Sequence, residues 1–263
     1  MKKEGRAEIF GIGIKTGERE ALIESCARMI GRGGVIATVN PEIMRRAASD
    51  RRLYRALKSA VNIPDGVGIK LALALTGVST DRLPGIELGE ALLDIHPCRL
   101  AIIGGREGVA REALAALAER HKLVTPTFAR DGYSLTIDEA RSLIALYAPD
   151  IVFVCLGSPR QEIFSYNMHK LYRSALFVSL GGSADVYSGA KRRAPRPVRR
   201  VGLEWAWRIL KEPKRLKRLP LIFGFFIEGL KRGEFFRKNY PKTIKKERET
   251  PLFLKKLKKI DKN

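Results

Sequence analysis

In ALIESCARMI the apolar residues fall at positions 22, 23, 26, 29 and 30, the spacing of one helical face, and Gly31 and Gly33 close the segment. GVIATVN follows as a continuous apolar run of strand length, the mark of a strand buried on both faces. Asn40 is a good N-cap and Pro41 suits a first helical position, so PEIMRRAAS starts a helix. The alternation then repeats. AVNI predicts a short strand ending at the turn Pro64-Asp65-Gly66, and VGIKLALALTG and IELGEALLDI predict helices. RLAIIGG, KLVTPTF, IVFVCLG and ALFVSLGG predict strands. Helices over EGVAREALAALAERH, IDEARSLIALYAPD and PRQEIFSYNMHKLY, the last begun by Pro159, separate them. Residues 7–190 therefore predict an α/β fold, a parallel sheet with helices on both faces.

Ligands of such folds bind beyond the carboxyl ends of the strands. The residues predicted there are Thr38 and Asn40, Asp65, Gly104 and Gly105, Gly157 to Gln161, and Gly181 to Asp185 in a GGSADVYSG turn. Turn chemistry explains many of them equally well, since Asn and Asp cap helices and Gly turns corners. Asp65 stands apart, because Pro64 and Gly66 would suffice for a turn. Phosphate chemistry does not explain it either: an aspartate at a glycine-opened helix start repels phosphate. IIGGREG carries part of a nucleotide loop, but it is not a full G-x-G-x-x-G and no P-loop lysine follows. A nicotinamide-dependent oxidoreductase needs an acidic residue about 20 positions beyond that loop, and Asp131 lies further away. There is no HExxH, CxxC or G-x-S-x-G, and His96, His121 and His169 fall at no ligand spacing. Neither a metal site nor a triad is indicated.

Charge changes the picture at the C-terminal end. Residues 1–190 hold 25 Lys+Arg against 21 Asp+Glu, a net of +4, whereas residues 191–263 hold 25 against 7, a net of +18. A segment this basic seeks a polyanion, either nucleic acid or an anionic membrane surface. Within it GLEWAWRIL predicts a helix that Pro213 ends, and PLIFGFF is strongly apolar but short of the roughly 20 residues a spanning helix needs. Aromatics and leucines beside lysines and arginines predict a helix lying on a membrane surface. The competing expectation is a helix packed on the core with a solvated basic face. No helix-turn-helix, RRM or zinc-finger pattern supports the nucleic-acid rival. The last stretch, KTIKKERETPLFLKKLKKIDKN, is expected to be flexible and to become helical on an anionic surface. Cys26, Cys98 and Cys155 are few and widely spaced, so they predict core thiols in a reducing compartment. MKKEGRAEIF lacks a long apolar run, so no signal peptide is expected.

Several of these segments together resemble the WecG/TagA/CpsF glycosyltransferases. The matching pieces are TVNPEIM (38–44), PDGVGIKLAL (64–73), DRLPGIEL (81–88), LAIIGGREGVAREAL (100–114), RDGYS (130–134), FVCLGSPRQE (153–162), GGSADVYSGAKRRAP (181–195) and GLEWAWRILKEPKRLKR (202–218). They run in uninterrupted order over roughly residues 8–220. The chain departs from the pattern at Glu87, where the family more often has an aspartate nearby, and in its basic extension after about residue 240.

The resemblance implies a Rossmann-like domain and a helical membrane-docking appendage, expected here over 1–195 and 196–240, and the chain adds a basic tail over 241–263. It implies inverting transfer of a sugar, typically N-acetylmannosamine or its uronic acid, from UDP to polyprenyl-diphosphate-linked N-acetylglucosamine. The setting is synthesis of teichoic acid, common antigen or capsule. Glucose is also compatible with the crevice residues. The protein is expected in the cytoplasm, peripheral on the inner face of the cell membrane, without metal or other cofactor and without a nucleic-acid partner; a homo-oligomer is allowed. An inverting transfer needs one general base for the acceptor hydroxyl, and Asp65 is the expected base. Without a metal, N–H donors and arginines must stabilise the leaving diphosphate. Arg82, Arg208, Arg215 and Arg218 are the candidates for the UDP or lipid diphosphate. Thr38, Asn40 and Gln161 suit sugar hydroxyls or an acetamido group, and Asp185 the nucleoside.

Overall fold

In the computed structural model, which describes residues 4–236, the chain opens on an antiparallel hairpin, β1 (Gly5–Ile9) and β2 (Ile12–Thr16). Phe10 and Gly11, both at positive φ, form its two-residue turn, as the right-handed twist of the strands favours. Then follow α1 (Arg19–Ala27), β3 (Gly34–Val39), α2 (Pro41–Ala47), α3 (Arg51–Ser59) and β4 (Val61–Pro64). Asn40 caps α2 by accepting a hydrogen bond from Ile43 N–H at 3.0 Å, and the Asp50 side chain caps α3 in the same way. Next come α4 (Val67–Leu75), α5 (Gly85–Leu93), β5 (Cys98–Gly104), α6 (Val109–Arg120), β6 (Val124–Arg130), α7 (Ile137–Tyr147), β7 (Ile151–Cys155), α8 (Arg160–Leu171) and β8 (Leu176–Ser179).

The eight strands form one sheet in the order β1-β2-β4-β3-β8-β7-β5-β6. All neighbours are parallel except the hairpin. That edge adds an antiparallel hairpin to the expected parallel sheet. It is tied in by buried Asn62, whose amide donates to Gly13 O and to Leu57 O, both at 2.8 Å. Alternate residues of the central strands face opposite layers, as the strand period of two requires. Ile36, Ile102, Phe153 and Val178 pack on one side with residues of α1, α5 and α6. Val35, Ile103, Val152 and Phe177 pack on the other with α7 and α8. The three cysteines are free and buried, as core thiols should be, and burial pushes Cys26 and Cys155 up to about 12.

GGSADVYSG is not the expected turn: Ser183–Tyr187 form a short helix, α9. Tyr187 fixes it by donating to Ile86 O at 2.8 Å. Past Pro195 come α10 (Arg196–Arg200), α11 (Glu204–Lys211), a 3₁₀ turn over Pro213–Arg218, and α12 (Leu219–Lys231). The helix over PLIFGFF joins the core: Phe225 is fully buried against Phe10, with ring centroids 5.4 Å apart, in a cluster that includes Met44 and Phe235. The packed-helix expectation therefore holds for its inner face. Its outer face leaves Phe223, Ile227 and Leu230 exposed. No helix among the described residues is long and apolar enough to cross a membrane. The tail expected over 241–263 lies outside the described residues.

Candidate active site

All the parallel strands end at one edge, and β3 pairs with both β4 and β8 there. Asp65 follows β4 directly. Its N–H donates to Val39 O at 2.9 Å, which continues the β3–β4 ladder by one residue, and Leu83 N–H donates to Pro64 O at 2.9 Å. Gly66, at φ 82°, then turns the chain into α4, a conformation that side chains other than glycine rarely adopt. The segment over 80–84 and the strand end thus hold Asp65 from both sides. Among the described residues none donates a hydrogen bond to its carboxylate.

Asp65 keeps some solvent access but is closely packed by protein. That burial pushes its carboxyl up to about 6; Arg208, Arg82 and Arg193 pull against the rise, and Glu204 adds to it. Charges from the α/β core and from beyond Pro195 therefore meet at this one carboxylate. Such a group is largely ionised at neutral pH yet basic enough to take a proton.

The other predicted residues have defined places. Thr38 is buried, and its hydroxyl donates to Ser179 O at 3.0 Å, bonding β3 to β8. Gly85 allows this approach, because a Cβ there would lie 3.0 Å from the Thr38 hydroxyl oxygen. Asn40 uses its oxygen as the α2 cap, while its amide N–H₂ makes no hydrogen bond among the described residues. Gln161 is clamped at both ends: its Nε2 donates to Glu162 at 2.8 Å, and its Oε1 accepts from Gly181 N–H at 2.9 Å. Glu162 beneath it is buried, with one carboxylate oxygen unpartnered, and burial raises its pKa. Arg82 donates to the backbone carbonyl of Arg199. Asp185 pairs with Lys191 at 3.1 Å, which also meets Glu212 at 3.1 Å, and Glu212 holds Arg215 at 2.9 Å. Arg218 reaches Glu42, in the first turn of α2, at 3.3 Å. Arg208 is gripped by Glu204 at 2.7 Å.

Arg208 and Arg82 are thus the predicted arginines whose charge Asp65 feels, while Arg215 and Arg218 are engaged in ion pairs with Glu212 and Glu42. Glu204 and Arg193 are missed by the sequence reading, although Glu204 and Arg208 show the i,i+4 spacing of a helical pair. Asp131 lies near IIGG in space although not in sequence. Its distance from IIGG along the chain is closed by the fold, since Gly132 N–H donates to Gly105 O at 3.0 Å. It lines a cleft of about 520 Å³ at the same sheet edge with Gly108, Arg111, Arg130 and Tyr133.

The family model for the glycosyl transferase WecG/TagA/CpsF family matches residues 7–239. This chain belongs to that family. It is a glycosyltransferase, and neither an oxidoreductase nor a nucleic-acid-binding protein is favoured as an alternative. A relative from Bacillus subtilis (strain 168) is 34% identical over 218 residues, 81% of this chain and 85% of its own length. One from Bacillus spizizenii is 37% identical over 206 residues, 76% of this chain and 80% of its own. One from Staphylococcus aureus (strain MW2) is 31% identical over 192 residues, 71% and 76% respectively. All three are named N-acetylglucosaminyldiphosphoundecaprenol N-acetyl-beta-D-mannosaminyltransferase.

Proposed function

We propose that this glycosyltransferase moves N-acetylmannosamine from UDP to polyprenyl-diphosphate-linked N-acetylglucosamine, with inversion and without a metal. The names of the three relatives support the choice of sugar and acceptor. The observation that carries the chemistry is the Asp65 carboxylate: at a strand end, without a hydrogen-bond donor among the described residues, and raised by burial to about 6 against the pull of the Arg208 charge.

Asp65 takes the proton from the acceptor hydroxyl as its oxygen attacks the anomeric carbon and the bond to UDP breaks. Negative charge grows on the departing diphosphate, and fixed cations stabilise it most where water is excluded. Arg208 and Arg82 serve that charge, while Arg215 and Arg218 suit the lipid diphosphate. The free N–H₂ of Asn40 serves the sugar, while Gln161, buried and clamped at both ends, holds the Gly181 backbone in place. The nucleoside is placed toward Asp185 and the cleft beyond β5 and β6. Thr38 acts by holding β3 to β8 beneath them.

The lipid acceptor brings the protein to a membrane. Exposed Leu210, Phe223, Ile227 and Leu230, set among Lys and Arg, fit an anionic surface. The protein would then work as a peripheral enzyme on the inner face of the cell membrane.

The test is a donor screen. The protein is incubated with a short-chain lipid-diphosphate N-acetylglucosamine, a panel of UDP-sugars and EDTA, with and without anionic vesicles. UDP release and glycolipid mass are followed. UDP-N-acetylmannosamine is the expected donor. Asp65→Asn should lower turnover by about 10²–10⁴-fold with donor affinity little changed. Preference for the uronate or for glucose would move the protein to capsule or exopolysaccharide synthesis. No reaction with any donor, even with vesicles and added metal, would overturn the proposal.

A further inference from the structure

The segment that brings Arg208 to Asp65 is not held by an apolar core. Neither α10, α11 nor the 3₁₀ turn after α11 buries a single residue, and the first fully buried side chain beyond them is Phe225 in α12. Something else must fix where Arg208 sits. One locator is Gly202, at φ 79°, where an added Cβ would lie 2.3 Å from the Val67 side chain. It sets how closely the segment approaches α4 but not which way the Arg208 side chain faces.

The second locator is a run of alternating charges. Arg19, at the start of α1, meets one oxygen of Glu87 at 2.6 Å, and Arg193 meets the other at 2.7 Å. The same Arg193 nitrogen reaches Glu204 at 3.4 Å, and Glu204 in turn grips Arg208 at 2.7 Å. The middle of this run is shielded: the Arg193 and Glu204 side chains are 15% and 12% exposed. Ion pairs on open surface are worth little, but shielded ones in a network fix geometry. Burial alone would raise both carboxyls, yet the arginines hold Glu87 and Glu204 below the usual carboxylate range, so both stay charged near neutral pH.

We propose that Glu204 and Arg193 are positioning residues: the chain Glu87–Arg193–Glu204 carries a fixed point of the α/β domain out to Arg208 and sets the place of its guanidinium beside Asp65. The proposal rests on the role given to Arg208 in the reaction above. It adds that the role is only as good as three side chains that touch no substrate. The sequence separation between Glu87 and Arg193 means that the domain, through α5, controls the orientation of a side chain on α11.

The experiment is a double-mutant cycle on kcat in the full-length protein with donor and lipid acceptor. Glu204→Gln, which keeps the shape and removes the charge, is measured alone and in an Arg208→Gln background. Alone it should lower kcat about tenfold or more, and in the Arg208→Gln background by less than about twofold, because its effect passes through Arg208. Arg193→Lys, which keeps the charge but loses the fork, repeats the cycle should Glu204→Gln fold poorly. It should lower kcat less than Arg193→Gln does, and lose that effect in the same background. Losses that multiply, with Arg208→Gln itself slow, overturn the positioning chain and leave the role of Arg208 standing. An Arg208→Gln protein with undiminished kcat removes that role, and the positioning chain with it.

Discussion

The α/β domain and the segment beyond Pro195 are built on different terms. In the domain, β3, β7 and β8 are buried at every position. Strands so placed cannot shift without exposing two faces at once. Beyond Pro195 two helices and a turn bury nothing, and two buried rings, Phe225 and Phe235, tie the segment to the core. Asp65 belongs to the first region and Arg208 to the second. The proposed base therefore has a rigid support, whereas the proposed cation is placed by charges and two rings. Folding and catalytic readiness are separable in such a protein.

Removing the more deeply buried of these rings tests that separation most strongly. Phe225→Ala should cost about 3–5 kcal/mol of local stability, the usual loss for a buried phenylalanine. Hydrogen exchange should rise over α12 while the central strands stay protected. Equal loss of protection in β3 and β7 would mean that the two regions unfold as one.

A smaller change sharpens the same contrast at the site. The acid limb of kcat/KM reports the free-enzyme pKa of the base, and wild type should show it at about 6. Arg208 pulls that value down, so Arg208→Gln should move the limb up while the far-ultraviolet spectrum stays unchanged. The other charges facing Asp65 are Arg82, Arg193 and Glu204, and they stay in place. An unmoved limb would separate Arg208 from the base.

The smallest expected effect is on stability alone. The folded Asp65 carboxyl titrates at about 6, and an unfolded one at about 3.9. Between those values the folded state holds more protons, so stability falls as pH rises through about 6. Asp65→Asn has no charge to bury. Its melting temperature relative to wild type should therefore climb from pH 4 to pH 7 and then level off. A constant difference would mean that Asp65 is well solvated.

Much of this architecture was legible because burial writes itself into the chain. IVFVCLG and GVIATVN can be little else than doubly covered strands. Asp65 was legible too, since Pro64 and Gly66 already explain the turn. The hairpin was not: GRAEI alternates short apolar residues with charges and carries a glycine, so its strand signal is weak and nothing local shows its partner. α9 was hidden because Gly-Gly-Ser-Ala-Asp has turn composition, and its helix depends on Tyr187 reaching Ile86. Glu87 and Arg193 were illegible as a pair, because an ion pair between residues 106 apart leaves no periodic trace.

Along α12, positions 225 and 229 face the core, while 223, 227 and 230 face outward. Gly229 is held to its size by the ring of Phe235, from which an added Cβ would lie 2.1 Å. Two sets of residues interleaved on one short helix thus answer to different authorities, one to the fold and the other to whatever lies outside. The outward set can drift, becoming greasier or more polar as its surroundings change, without the inward set noticing. A helix of thirteen residues can in this way adapt an enzyme to a new surface while leaving its chemistry alone.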